Sequence, residues 1–149
     1  MVGTRFLEDV AVGQVFEHGS LEVTEADILD FARRFDPQIF HLDREAAKST
    51  FFAGLAASGW HTAALTMRLI VDSGVPVGGG VIGAGGTISW PKALRPGETI
   101  RLESEILEVR PSRSRPDRGM VKVRFTTFDS AGDVVQVLVA DLVAPRRTA

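Results

Sequence analysis

Residues 59–71 read Gly-Trp-His-Thr-Ala-Ala-Leu-Thr-Met-Arg-Leu-Ile-Val, with Arg68 the one charged side chain in the run. Apolar positions fall on every face at a 3.6-residue period, which predicts a helix buried nearly all round. Ser73-Gly74-Val75-Pro76 closes it: Gly74 suits a left-handed cap, and Pro76 cannot continue a helix. Upstream, Ile28, Leu29, Phe31, Ala32 and Phe35 recur at helical spacing behind Thr24, a natural N-cap with Asp27 three residues on. A first helix is predicted over 24–35. Residues 10–17 and 21–23 read as short extended pieces, and 43–48 as one or two helical turns.

The period changes in the second half. Residues 81–90 form a glycine-laced strand pattern, and Pro96-Gly97 is a turn. Ile100, Leu102, Ser104 and Ile106 then alternate with polar residues over 99–109. Val121, Val123, Phe125 and Thr127 do the same over 120–128, and a last strand is predicted over 134–143 after Ala131-Gly132-Asp133. Residues 111–119 between them are a polar, basic hairpin loop, and 145–149 a frayed tail. One buried helix followed by antiparallel strands is an α+β pattern, a sheet wrapped around a helix. Strand and helix do not alternate through the second half, which disfavours a doubly wound nucleotide fold.

Composition narrows the possibilities. The 149 residues, 44% hydrophobic and 24% charged, suit one globular domain over 1–149. A net charge of −2 supplies no basic field for nucleic acid. No apolar run reaches the roughly 20 residues of a membrane span, and the acidic start argues against a secretory signal. Neither membrane nor nucleic acid is therefore expected as a partner, and a cytoplasmic location is expected. The absence of cysteine excludes disulfides and thiolate metal sites.

With three histidines and no tyrosine, few side chains can exchange protons near neutral pH. Asp36 and His41 lie five residues apart across a turn started by Pro37, which disfavours helix at Asp36. Two readings stand. The flanking Phe35, Ile39 and Phe40 can anchor the turn so that acid and imidazole share a partly dry wall, or Asp36 merely ends one helix and His41 caps the next. A second cluster is the small-residue approach to the long helix, 54–59. Gly59, lacking Cβ, would let a carbonyl approach a backbone N–H at a helix start, an oxyanion-hole arrangement; simple packing of small residues is the alternative. His61 reads as a core or interface residue rather than a pocket residue, His18 as a solvated turn residue, and Trp60 and Trp90 as packing or interface surface.

Taken together, Asp36, His41, Asp43 and Ala47, followed by residues 49–59, resemble the MaoC-like dehydratases, a family that includes the (R)-specific enoyl-CoA hydratases. The spacing of Asp, His, Asp and Ala is kept, while Gln38, Ile39 and Arg44 replace the family's Asn, Pro and second Pro. The likeness continues through 90–100, a strand followed by a Pro-x-x-x-Gly-(Asp/Glu) type of turn. The resemblance implies the hotdog fold, a curved antiparallel sheet around one central helix, and a homodimer or higher homo-oligomer. It implies Asp36 and His41 as the catalytic pair, and Gly59 with Ser58 as the oxyanion and substrate-binding positions. The substrate it implies is a trans-2-enoyl thioester of coenzyme A or acyl carrier protein, hydrated or formed by dehydration without metal or other cofactor. Some hydratases carry a further serine on the central helix near the aspartate; the corresponding stretch near Met67 has Thr66 and no serine. A hotdog thioesterase and a non-catalytic acyl-binding subunit remain as alternatives. The arginines at 110, 113, 115 and 118 read first as a solvated hairpin tip, and second as a contact for coenzyme A phosphates or an acidic carrier protein.

Overall fold

The structure, a computed structural model, describes residues 5–73 and 80–147. The expected helix ending at Gly74 and Pro76 therefore falls outside the described residues. Three helices, α1 (Glu25–Phe35), α2 (Ile39–Leu42) and α3 (Gly59–Ser73), precede most of the sheet. The strands are β1 (Val15–Glu22), β2 (Gly83–Ser89), β3 (Thr99–Pro111), β4 (Arg118–Phe128) and β5 (Val134–Pro145). They form one antiparallel sheet in the order β1-β3-β4-β5-β2, packed on α3. This is the hotdog arrangement that the resemblance implied. Among the described residues no helix is long and apolar enough to cross a membrane.

The alternating residues predicted for the second half do face inward. Ile100, Leu102 and Ile106 of β3 join Val121, Val123 and Phe125 of β4, with Leu69 and Ile70 of α3, in one buried core. Thr24 caps α1 as its position predicts, accepting from the Asp27 N–H at 3.1 Å. Residues 15–22 form one strand where two short pieces were expected, because the register skips between Glu17 and Ser20 and a bulge carries the chain through.

Strand β1 reverses the expectation for His18, which follows Phe16 on the inward face. The ring is 3% exposed and joins the end of α3 to the sheet. Ser73 Oγ donates to the Leu69 carbonyl, so His18 Nδ1–H donates to Ser73 Oγ at 2.7 Å. His18 Nε2 then accepts from Ser104 Oγ at 2.6 Å. Ser104, the polar member of the inward row of β3, is thereby satisfied. A second polar tie joins Thr66 of α3 to Thr127 of β4, 2.8 Å between hydroxyls.

The central helix also departs from expectation. His61, Thr62, Thr66, Leu69 and Ile70 are buried, but Trp60, Ala64, Met67 and Val71 form an exposed apolar stripe along the opposite face. The reading of a helix buried nearly all round is corrected to one side only, because the sheet wraps a single face and none of the described residues covers the other.

Burial lowers the pKa of His18, so the folded state favours the neutral ring. The stabilisation is complete above the unfolded value near 6.5 and is lost as pH falls through the lower folded value. Urea midpoints measured at pH 7.5 and 5.5 should drop on acidification. In His18→Gln the drop should be smaller, on top of a loss of about 1–3 kcal/mol at pH 7.5 from the stranded hydroxyls. An equal pH dependence in both proteins would exclude this role.

Candidate active site

Helix α1 stops where Pro37 forbids its continuation. Asp36 caps it, giving its N–H to the Ala32 carbonyl at 2.9 Å while leaving helical geometry at φ −152° and ψ 66°. The chain then folds tightly: the Gln38 N–H donates to the Asp36 carbonyl and the His41 N–H to the Gln38 carbonyl, and the single turn of α2 follows. Asp36 and His41 are thus brought face to face, with His41 Nε2 3.3 Å from Asp36 Oδ2. Of the two readings of this segment, the shared wall is the one that forms.

His41 is 4% exposed and packed edge-on against Phe40. Its Nδ1 lies 2.6 Å from the Ala56 carbonyl, which can only accept, so Nδ1 carries the proton. In the neutral ring Nε2 therefore presents a lone pair toward Asp36. The carboxylate is held by others: Gln38 Nε2 donates to Oδ1 at 2.6 Å and Ser58 Oγ to Oδ2 at 2.7 Å. Burial by itself would raise the Asp36 pKa, but these two hydrogen bonds and the nearby imidazole outweigh it and hold the carboxyl below its ordinary value. When the ring is neutral, Nε2 and Oδ2 are two acceptors facing one another; when it is protonated, Nε2–H donates to the carboxylate.

The wall opposite is built by residues 52–58, which run with neither strand nor helix. The Arg95 guanidinium donates to the carbonyls of Phe52, Gly54 and Leu55. The Ala56 N–H meets the Phe40 carbonyl at 3.0 Å, and the Ala57 N–H the Leu94 carbonyl at 2.8 Å. Helix α3 starts directly after this strap. Ser58 supplies its first acceptor, to the Thr62 N–H, and among the described residues no acceptor meets the Gly59 N–H.

Close packing, the alternative the sequence left open, accounts for a glycine at 59. A Cβ there would lie 2.7 to 3.0 Å from the Trp90 ring atoms Cε2, Cδ2 and Cζ2, so the indole rests directly on the glycine. Trp90 Nε1–H donates to Gln136 Oε1 at 3.0 Å, and the buried amide passes the tie on, Nε2 donating to Thr66 Oγ1 at 3.1 Å. His41, Gly59 and Trp90 line one cavity of about 290 Å³ with Phe51, Phe52 and Leu94. Lys92 reaches its edge but is held by Asp129 and Asp133 at 2.7 and 2.8 Å. Ser58 turns its hydroxyl to Asp36 and is not part of the cavity lining. Met67 is exposed on the outer stripe, so Ser58, before the helix, occupies the role of a polar helper to Asp36.

A model of the MaoC like domain matches residues 8–127. The chain belongs to the MaoC-like dehydratase family. Its fold superposes with a TM-score of 0.94 on a MaoC-like dehydratase from Rhodospirillum rubrum, 51% identical and covering 97% of this chain and 99% of that one. The unliganded (R)-hydratase PhaJ1 of Pseudomonas aeruginosa is 29% identical, with a TM-score of 0.77, over 95% of this chain and 86% of its own. The uncharacterised protein YdeM of Bacillus subtilis is 33% identical over 127 residues, 83% of this chain and 86% of that one.

Within this MaoC-like chain, the other conspicuous residues lie elsewhere. His61 is buried and stacks flat on Phe31 at 4.7 Å, a core position as expected, with Nδ1 unpartnered. The basic hairpin lines a separate hollow of about 460 Å³ that contains none of Asp36, His41 or Gly59. In that hairpin Arg118 pairs with Asp117, and Arg110 with Glu108. Trp90 was expected as packing or interface surface, while Gln38, Arg95 and Gln136 had no site role in the sequence reading. Only Gln38 carried a signal, its nearness to Asp36, since the bonds of the others span 40 to 70 residues.

Gly59→Ala should force the indole off its seat. Melting temperature should fall by an amount equivalent to about 1–3 kcal/mol, and tryptophan emission should shift as Trp90 Nε1 leaves Gln136. Unchanged stability and emission would mean that the close seat does not constrain the ring.

Proposed function

We propose that this protein adds water to a trans-2-enoyl thioester to give a 3-hydroxyacyl thioester, or catalyses the reverse dehydration, the acyl group being carried by coenzyme A or acyl carrier protein. The observation that carries this reading is the approach of His41 Nε2 to Asp36 Oδ2, 3.3 Å, two acceptors when the imidazole is neutral, beside a cavity that His41 and Gly59 both line. Two facing acceptors can engage both hydrogens of one water, which leaves the oxygen lone pair free to attack. A carbonyl oxygen against the Gly59 N–H would meet an unpaired donor at the positive end of α3.

The reaction follows from these roles. Water adds its oxygen to the β-carbon as Nε2 takes one of its protons, with Asp36 fixing the angle and balancing the imidazolium charge. The C=C electrons move toward the α-carbon and thioester oxygen, where the Gly59 N–H stabilises the enolate. His41 then returns the proton from Nε2 to the α-carbon, so that H and OH have been added and the side chains are restored. Ser58 and Gln38 keep Asp36 ionised and oriented. The names of the relatives, a dehydratase and an (R)-hydratase, support the same chemistry.

The natural complement of the exposed stripe on α3, and of β2 as a free sheet edge, is a second copy of the chain. The four apolar residues of the stripe would otherwise remain in water. Twice the chain mass is expected in light scattering, with Met67→Glu shifting the protein toward monomer; a monomeric wild type at micromolar concentration would exclude the pairing.

Loss of enoyl absorbance with crotonyl-CoA tests the activity. Asp36→Asn and His41→Ala should each lower kcat by about 10²- to 10⁴-fold while the fold persists by circular dichroism. Release of free thiol instead of 3-hydroxyacyl product would identify a thioesterase. Inactivity across chain lengths would leave the acyl-binding subunit.

A further inference from the structure

We infer that Trp90 is the specificity-determining wall of the cavity and makes it favour short acyl chains over long ones. The inference rests on the reading of the cavity as an enoyl thioester site. An acyl group whose carbonyl oxygen reaches the Gly59 N–H lies against whatever covers Gly59, and that is the indole. The ring is held from three directions. Gly59 is beneath it, Gln136 takes its N–H at 3.0 Å, and Trp60 meets it edge-on with ring centres 5.2 Å apart.

The anchor behind the ring is itself immobile. Gln136 is fully buried, and its amide is oriented by necessity: Trp90 Nε1 can only donate, so Oε1 faces it and Nε2 faces Thr66. Thr66 in turn meets Thr127, and both are fully buried. Swinging the indole aside would strand the Gln136 oxygen inside the protein, so the wall does not retreat for a longer substrate. Phe52 and the buried His41, their rings 5.9 Å apart, line the same cavity. The cavity, about 290 Å³ and open to solvent beside the exposed Phe51, is at the lower end of the roughly 300–1,000 Å³ of small-molecule sites.

The test measures binding and turnover separately. Calorimetric Kd values for the unreactive butyryl-CoA and octanoyl-CoA are compared in wild type, Trp90→Leu, Trp90→Phe and Gln136→Leu, alongside kcat/KM for the corresponding enoyl thioesters. Wild type should favour the four-carbon chain by at least ~10-fold, and Trp90→Leu should erase or invert that ratio. Trp90→Phe, which keeps an aromatic ring on Gly59, and Gln136→Leu, which keeps the indole and frees it, should fall between. A binding ratio that is the same in every folded variant, or a wild type that binds both chains equally or neither, overturns the inference. Absent turnover with a binding ratio that moves as expected would defeat the proposed hydration while leaving the wall in place.

Discussion

The site depends on how the peptide groups of residues 52–58 are satisfied. An extended segment inside a protein cannot leave its N–H and C=O groups unpaired, and this one has no strand or helix to pair them. Arg95 takes three carbonyls with one guanidinium, whose flat fork of donors can span them where a lysine could not. Phe40 and Leu94 take two amides. The carbonyl of Ala56 is left for His41, and that bond decides which imidazole nitrogen bears the proton. Ala53, in the left-handed region at φ 54°, carries the cost of the bend that makes this possible.

From that bond the electrostatics follow in order. With Nδ1 committed as a donor, the neutral ring presents Nε2 as an acceptor beside a carboxylate that two further donors keep ionised. In that state a molecule lying alongside the pair can give one proton to each acceptor, and once Nε2 has taken a proton the carboxylate is there to balance the charge. The same strap ends at Gly59, so the N–H at the start of α3 and the acceptor pair are set by one continuous piece of backbone.

Helix α3 joins site and fold through polar as well as apolar ties. His18 links its far end to β3, and Thr66 links its middle to β4 and, by way of Gln136, to Trp90. Directional bonds of this kind set the helix at one height on the sheet, which a greasy contact alone would leave free to slide. The outer stripe is the reverse: apolar, exposed and without a partner among the described residues. Its hydrophobicity looked in the sequence like a second buried face, and periodicity carries no information about whether burial is supplied by the same chain or by another.

By itself the sequence determined the elements and the family. The inward rows of β3 and β4, the cap at Thr24, the break at Pro37 and the spacing of Asp36 and His41 are all local patterns, and local patterns survive being read along a line. Tertiary structure alone decided that His18 is buried, because its partners, Ser73 and Ser104, lie 55 and 86 residues away. It decided that the Ser58 hydroxyl serves Asp36, 22 residues away, and that Trp90 rests on Gly59. Each of these is a meeting of segments far apart in the chain, and hydrogen bonds depend on where atoms lie in space, which the order of residues does not record.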